Sequence, residues 1–386
     1  MKHISEIMFS IITNEIFSPT DKVSSLALSD EQAQKLYLLS KKHDVTHIIG
    51  EFLLKNEISL STEAKKAFEK YTFTSLRYYE NLNYELSALK EFLKNEKTPH
   101  IPLKGSSVIR ELYPKPWLRS SRDIDMLVPE KDAEATAQKL IDEYGYTKIR
   151  ENRHDISLKS PTGVNVEIHY ALVEDGIAKA SSEILASVWD GAKSSDGEYL
   201  YSMSDEMYYY YHVAHMAKHF EEGGCGVRPF IDLLLLDLQA DADAQMRNEL
   251  LEKGGLLTFA KASRKLARAW FCGAEKDEIT LQMEEYILRG GSFGSNANRI
   301  SIQQQKNGGK IGYALSKIFV PYEMLMHYYP ILKKHKWLTP FMQVRRWFKL
   351  IFCGHLTRTT AEIKYNMNIE KDEAKAMETF LKNIGL

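Results

Sequence analysis

The sequence predicts an α+β fold in which a small mixed sheet is flanked by N-terminal and C-terminal helical regions. Up to about residue 95, apolar residues recur at spacings of three and four, the period of amphipathic helices. Strand-like segments then cluster between about 99 and 170, and helical periodicity returns from about residue 205. We therefore expect an N-terminal helical region (1–95), an α/β core (96–200) and a C-terminal helical domain (201–386).

Helical periodicity places the helices of the first half of the chain. In the N-terminal region it predicts helices over Glu31 to Leu39, Thr46 to Leu54 and Thr62 to Leu93. Within the core it predicts a helix from Lys131 to Tyr144. The next residue, Gly145, is of the type that ends helices, because glycine adopts the left-handed conformation without steric cost.

The run Asp123-Ile124-Asp125 lies in an apolar stretch that predicts a strand. Side chains alternate across a strand, so Asp123 and Asp125 share one face while Ile124 points to the other. Two neighbouring carboxylates repel each other unless a cation lies between them. Mg²⁺ prefers such oxygen ligands and completes its octahedron with water and substrate phosphate. An isolated acidic pair is also common on exposed strands, so its meaning depends on its neighbours.

The segment before this strand predicts a phosphate-binding turn. Ile101 to Leu103 is strand-like, Gly105 allows a tight turn, and Val108 to Tyr113 has apolar residues at helical spacing. Ser106 or Ser107 can cap that helix. The N–H groups at the start of a helix attract phosphate.

The segment after the strand predicts a β-hairpin that brings a third carboxylate. Val164 to Tyr170 alternates apolar and polar residues, so Glu167 and His169 share one face. Asp155 to Lys159 is also strand-like, and a turn with Pro161 joins the two segments.

Together these motifs resemble the DNA polymerase beta-like nucleotidyltransferase superfamily, which has a Gly-Ser turn, an Asp-x-Asp strand and a third acid on a following strand. The chain is most similar to the bacterial branch described as uncharacterised nucleotidyltransferases. Its long connection from Gly105 to Asp123 departs from the wider superfamily. The motifs that carry the closer resemblance are Leu103-Lys104-Gly105, Leu112-Tyr113-Pro114, Arg119, Arg122-Asp123-Ile124-Asp125, His154-Asp155, Val166-Glu167-Ile168-His169, His215-Met216-Ala217-Lys218-His219-Phe220, Gly223-Gly224, Arg228 with Asp232, and Tyr329-Pro330.

The resemblance implies an enzyme that uses Mg²⁺ or Mn²⁺ to move a nucleoside monophosphate from an NTP, such as ATP, to an acceptor hydroxyl. Pyrophosphate would be released. Asp123, Asp125 and Glu167 would be the catalytic and metal-binding residues, and His169 could relay a proton. The residues expected to bind the nucleotide are Lys104, Gly105, Ser106, Arg119, Arg122, Lys218 and His219.

A histidine-rich helix is expected from Met207 to Phe220. His212, His215 and His219 share one of its faces, an array that could bind zinc. No Cys or acid is placed to complete a tetrahedral site, which favours a polar face lining a cleft. Lys218 and His219 would then reach the triphosphate or the acceptor.

Two other pairs allow alternatives at this point. The register of the hairpin decides whether His154 or Asp155 lies on the face of Glu167. Arg228 and Asp232, four residues apart, fit either a surface ion pair or a role in the site.

Residues 333–349 interleave basic and aromatic side chains, in Lys333 to Trp337 and again in Arg345 to Lys349. Such a segment could touch RNA, an anionic membrane or a charged acceptor. The favoured interpretation is an amphipathic helix with its aromatic residues packed inward and its charges in solvent.

Composition restricts the partners. The 386 residues are 44% hydrophobic and 27% charged, and a net charge of −1 favours a small-molecule or protein acceptor over nucleic acid, which stays possible. Cys225, Cys272 and Cys353 are too few and too widely spaced for a disulfide framework, so a cytoplasmic protein is expected. No apolar run approaches the length of a transmembrane segment.

Two other functions fit the same residues. One is a toxin-like enzyme that nucleotidylates tRNA or a protein, for which the basic aromatic segment is the local support. The other is a nucleotide-binding protein without catalytic activity. The complete set of three acids argues against this second alternative.

Overall fold

The computed structural model describes residues 2–18, 26–172, 179–195, 197–292, 294–352, 356–369 and 371–386, and it confirms the α+β class. Cys353 lies outside the described residues. Helix starts follow local capping: Ser29 forms a reciprocal capping box with Gln32, and the Ser61 side chain accepts from the Ala64 amide. The helices before the sheet are α1 (Lys2–Ile12), α2 (Asp30–Lys42), α3 (Thr46–Lys55) and α4 (Thr62–Asn95).

The predicted small mixed sheet is confirmed, with five strands in the order β1-β2-β5-β4-β3 over the described residues. The β2 and β5 strands are parallel, and the other pairings are antiparallel. The predicted helix α5 ends as expected at Gly145, which has φ 72°. The elements of the core are β1 (Ile101–Pro102), β2 (Asp123–Leu127), α5 (Glu130–Tyr144), β3 (Thr147–Glu151), β4 (Asp155–Lys159) and β5 (Asn165–His169).

The strand register gathers acidic side chains on one face of the sheet. Asp125 lies beside Glu167 across the parallel pair β2 and β5. In the predicted hairpin of β4 and β5, Ser157 lies opposite Glu167 and Asp155 opposite His169. Since directly paired residues share a face, Asp155 joins the face of Glu167.

The other face of the sheet is apolar and packs against α4 and α5. Ile124, Met126, Val166 and Ile168 are fully buried there, in a cluster that includes Leu89 of α4. This packing fixes the sheet register, because a slip of one residue would turn the acids into the core.

The segment after β1 differs from the prediction. Instead of an α-helix, Lys104–Ser106 and Val108–Leu112 form two 3₁₀ turns. Lys104 itself has φ 45°, a left-handed conformation that is uncommon outside glycine. The helical N-terminus predicted to bind phosphate is therefore not formed, because the chain turns too tightly to start an α-helix.

The C-terminal region is helical, as expected. Before it, α6 (Lys179–Ala186) leads to a two-stranded ribbon of β6 (Lys193–Ser194) and β7 (Tyr201–Ser202). The helices that follow are α7 (Asp205–Glu221), α8 (Arg228–Asp237), α9 (Ala244–Lys253), α10 (Leu257–Phe271), α11 (Glu278–Gly290), α12 (Asn296–Lys306), α13 (Lys310–Ile318), α14 (Tyr322–Tyr328), α15 (Thr339–Phe352), α16 (Leu356–Asn368) and α17 (Lys371–Asn383).

The N-terminal and C-terminal helices share one hydrophobic core. Phe9 of α1 stacks on Trp270 of α10, with ring centroids 4.6 Å apart. This contact joins α1 to α10. Hydrogen bonds from Tyr113 and Arg119 to Asp232 hold α8 against the loop between β1 and β2. None of the described helices combines the length and apolar composition that a membrane crossing requires.

Candidate active site

The central carboxylate of the site belongs to Asp125, whose side chain is 1% exposed on β2. Lys104 Nζ donates to Asp125 Oδ1 over 3.1 Å, and His169 Nε2 lies 2.9 Å from the same oxygen. The left-handed conformation of Lys104 turns the chain at the place where its side chain meets Asp125. A buried carboxylate is thus neutralised by two cationic groups from different elements.

The charges of these groups depend on one another. Burial opposes ionisation of Asp125, but Lys104 and His169 outweigh it and hold the pKa of Asp125 well below its usual value. Burial also disfavours the charged form of His169, yet its hydrogen bonds with Asp125 and Glu167 raise its pKa to about 9. Without a metal ion these shifts favour ionised Asp125 and protonated His169 at neutral pH, and His169 must release that proton to bind a metal ion.

Asp123 lies on the same face in a different environment. Burial and the neighbouring Asp125 carboxylate raise the pKa of Asp123 to about 6, and Glu167 adds to the increase. Ser121 Oγ donates to Asp123 Oδ1 over 3.2 Å. The repulsion between the two aspartates is the one that the sequence motif predicts.

Three side chains are close enough to share a metal ion. Ligand atoms of Asp125, Glu167 and His169 all lie within 4.8 Å of one another. Two carboxylates suit Mg²⁺, and a set of two carboxylates and an imidazole suits Mn²⁺. The donor set thus fits the expected divalent ion. It contains His169 instead of Asp123, which the sequence places in the triad.

Asp155 lies beside this cluster and is fully hydrogen bonded. Its side chain is buried, and it accepts from Ser157 Oγ and Asn152 Nδ2, each over 2.8 Å. His154 Nε2 lies 3.3 Å from Asp155 Oδ1. The hairpin register therefore puts Asp155 on the polar face, while His154 contacts it from the turn before β4.

The polar face opens into a cavity of about 850 Å³. The sheet forms one wall, and α7 brings Lys218 and His219 to the other. The start of α14 also reaches the cavity, through Glu323 and Met324. The residues predicted for the site that line the cavity are Lys104, Gly105, Arg119, Asp123, Asp125, Glu167, Lys218 and His219.

The histidines of α7 do not form a metal site. His212 Nε2 lies 2.9 Å from the carbonyl oxygen of Pro229, while the Nε2 atoms of His215 and His219 are 3.0 Å apart. Among the described residues, no converging set of three His, Cys, Asp or Glu ligands is found besides Asp125, Glu167 and His169. The interpretation of this face as a polar cleft wall agrees with its position.

The predicted arginines are held in ion pairs. Arg119 forms a buried pair with Asp232, in which Nη2 and Oδ2 are 2.7 Å apart. Arg122 and Arg228 both pair with Asp44, over 2.9 and 2.8 Å. Arg228 and Asp232 therefore have separate partners, and Arg122 is directed to the turn between α2 and α3 instead of the cavity.

Gly105 and Ser106 are closely packed within the turn after β1. A Cβ atom on Gly105 would come within 2.8 Å of the Ser121 Cβ. The glycine therefore allows the turn to pack against the residues just before β2. The Ser106 side chain is buried, and its Oγ has no hydrogen-bond partner in the described residues. Gly105 lines the cavity, whereas Ser106 lies beneath it.

Several residues at the cavity are absent from the sequence prediction. Arg150 Nη2 lies 3.1 Å from Glu167 Oε1, and Asn152 supports Asp155. The tyrosine hydroxyl of Tyr208 lies 2.6 Å from Ser107 Oγ and links α7 to the loop after β1. The strand Thr147–Glu151 is exposed along its whole length and has no alternating pattern, and the Tyr208 contact spans 101 residues, so neither residue has a local signal in the sequence.

A comparison with family profiles identifies the family of this chain. The profile of a family described as "Uncharacterised nucleotidyltransferase" matches residues 29–272, which include every acid of the polar face. A search of curated proteins finds no match. A solved structure of an antigenic nucleotidyltransferase-like protein from Paracoccidioides brasiliensis is 13% identical and covers 53% of this chain and 97% of its own, with a TM-score of 0.30, a likeness on which no conclusion rests. The extent of the profile match shows that the chain belongs to the uncharacterised nucleotidyltransferase family.

Proposed function

We propose that the protein is a Mg²⁺- or Mn²⁺-dependent nucleotidyltransferase that moves a nucleoside monophosphate from an NTP to an acceptor hydroxyl. The observation that carries the proposal is the convergence of Asp125, Glu167 and His169 at the floor of an open cavity. A metal ion bound there would supply positive charge to the triphosphate and to the attacking oxygen. Asp123, on the same strand face, would complete the set of carboxylates.

The lysines of the cavity and the ring of His219 are suited to hold the triphosphate. Lys104 lies beside Asp125, and Lys218 and His219 line the opposite wall. Charge moves towards the leaving pyrophosphate during transfer, and cations placed there stabilise the transition state more than the ground state. Arg150, which contacts Glu167, would add a further positive charge near the leaving pyrophosphate.

The reaction would join the acceptor oxygen to the α-phosphorus and break the bond between that phosphorus and the bridging oxygen. Pyrophosphate leaves with the electrons of the broken bond, and a carboxylate of the polar face takes the hydroxyl proton. The open cavity has room for both the nucleotide and a small or protein-borne acceptor. Arg119 and Asp232, which hold the loop against α8, act as positioning residues.

NTP binding is expected to require the divalent ion. Lys104 and His169 offset the charge of Asp125, so without metal Asp123 and Glu167 supply the charge that repels the triphosphate, whereas bound metal would convert this wall into an attractive one. Calorimetric titration with ATP, GTP, CTP and UTP, with Mg²⁺ and with EDTA, measures the difference. Equal affinity in both buffers for every nucleotide would refute the assignment of the metal site.

A variant of the opposite wall gives the matched comparison. Lys218→Ala removes one cation of the cavity and should weaken NTP binding in Mg²⁺ with little change in melting temperature, because a cleft lysine contributes little to folding. Lys253→Ala, on a lysine outside the cavity, is the control. A nucleotide-binding protein without transferase activity would pass these titrations and fail the transfer assay.

A further inference from the structure

The second half of the basic aromatic segment forms an apolar stripe that faces solvent. On α15, Phe341, Phe348 and Phe352 are 62%, 58% and 78% exposed, and Val344 is exposed between them. These positions are three, four and four residues apart, so they lie along one side of the helix. The interpretation that the aromatic residues of 333–349 pack inward is therefore wrong for Phe341 and Phe348, and Phe352 continues the exposed stripe beyond that segment.

Contacts on the other side of α15 explain why this stripe is left outside. Trp347 Nε1 donates to the carbonyl oxygen of Ile318 over 2.7 Å, and Arg346 Nη2 donates to that of Lys317 over 3.0 Å. These bonds hold α15 against the end of α13. The α13 helix exposes its own apolar residues, among them Ile311 at 74%.

The same segment has a one-sided charge. Between residues 324 and 352 the chain has six Lys and Arg residues and no Asp or Glu, although the whole chain has a net charge of −1. Arg345 and Lys349 are exposed on α15 next to the apolar stripe, and Lys333 and Lys334 are exposed just before it. We call these four residues, with Phe341, Val344, Phe348 and Phe352, the basic apolar surface.

We propose that the basic apolar surface binds the protein peripherally to an anionic lipid membrane. An amphipathic helix with large apolar side chains on one face and Lys or Arg beside them lies in the interface of a bilayer, with its cations at the headgroups. Anionic headgroups complement the positive charge, and the acyl boundary accepts Phe341, Phe348 and Phe352.

Charge and shape favour this occupant over two others. A second copy of the chain would bring the same positive surface against itself, which costs electrostatic repulsion. RNA would satisfy the cations, and bases could stack on the phenylalanines, but the aliphatic Val344 offers nothing to phosphate or to a base. A lipid surface accommodates both the aliphatic and the basic side chains.

Membrane binding would also bring the catalytic cavity towards the bilayer. Glu323 and Met324 of α14 line the cavity, and the chain continues from the end of α14 to the basic apolar surface. This consequence rests on the proposed transferase function, whereas membrane binding does not.

Vesicle flotation of the full chain tests the proposal. The vesicles are pure phosphatidylcholine, or phosphatidylcholine with phosphatidylserine, at low and at high salt. We expect binding at least about tenfold tighter to the anionic vesicles, and weaker at high salt. Fluorescence of the exposed Trp337, isolated as the difference between the parent and Trp337→Phe, should shift to the blue in the same mixtures.

Two variants and one control separate the contributions of the surface. Phe348→Ser should reduce binding by about tenfold, because it removes one buried aromatic ring from the bound state. Lys333→Glu with Lys334→Glu should abolish the preference for phosphatidylserine. Phe73→Ser changes an equally exposed phenylalanine on α4 and should bind as the parent does.

Three results would overturn the proposal. They are equal binding to neutral and anionic vesicles, parent-like binding by Phe348→Ser, and a dimer in sedimentation velocity that Phe348→Ser dissociates while no vesicle is bound. The last result would assign the surface to a second copy of the chain. None of these outcomes depends on nucleotide transfer, so failure here is distinct from failure of the proposed function.

Discussion

Asp125→Asn is expected to lose both metal-dependent NTP binding and transfer, with a fall in rate of about 10²-fold or more. The substitution removes a buried negative charge but leaves Lys104 and His169 in place. The remaining positive charge would repel the divalent ion. Calorimetry measures the loss of binding, and product formation measures the loss of transfer.

Glu167→Gln gives the contrasting result. Glu167 comes from β5 and is only partly buried, so its loss should leave most of the Mg²⁺–NTP affinity and remove transfer. Asp190→Asn, an exposed residue away from the cavity, is the control for a neutralised aspartate. Transfer at the parent rate by Glu167→Gln would show that this carboxylate is wrongly assigned, and Asp155 would be the next residue to change.

Asp232→Asn is expected to lower the free energy of unfolding by about 3–5 kcal/mol, because it leaves the buried Arg119 guanidinium without its carboxylate. Both side chains are less than a tenth exposed, and Tyr113 also donates to Asp232 Oδ1 over 2.7 Å. Denaturant unfolding of the variant and the parent measures the difference.

Two companion variants distinguish the buried charge from other effects. The double change of Arg119→Met and Asp232→Leu removes both charges at similar volume and should recover much of the lost stability. Glu31→Gln breaks an exposed pair with Lys35 and should have no measurable effect. If Asp232→Asn has the same free energy of unfolding as the parent, solvent in the cavity compensates the charge of Arg119. The ion pair then does not hold the loop.

The elements that could be predicted from the sequence are those with a local period. The apolar alternation around Asp123 and Glu167 predicts both strands, and the side-chain pattern puts these carboxylates on one face. The helix that ends at Gly145 follows from the same kind of signal. Such patterns depend on neighbours in the chain, which the sequence shows directly.

Contacts between distant residues could not be predicted in this way. Arg122 and Asp44 are 78 residues apart in the chain. No local pattern indicates that Asp44 forms ion pairs with both Arg122 and Arg228. The position of His169 in the metal cluster needs the parallel pairing of β2 and β5 as well as its own strand. The sequence does not distinguish the 3₁₀ turn of Val108–Leu112 from the predicted α-helix, because the apolar spacing in 108–113 satisfies both kinds of helix.

The most direct test of the account is a transfer assay with the four NTPs, each labelled at the α-phosphate, together with Mg²⁺ and a metabolite extract. Mass spectrometry then identifies the labelled product. We expect label from one NTP to appear in a new compound with an equal amount of pyrophosphate, and neither to form with EDTA or with Asp125→Asn. Recovery of the label as NDP without pyrophosphate, or formation of product by Asp125→Asn at the parent rate, would contradict the assignment of the chemistry to this site.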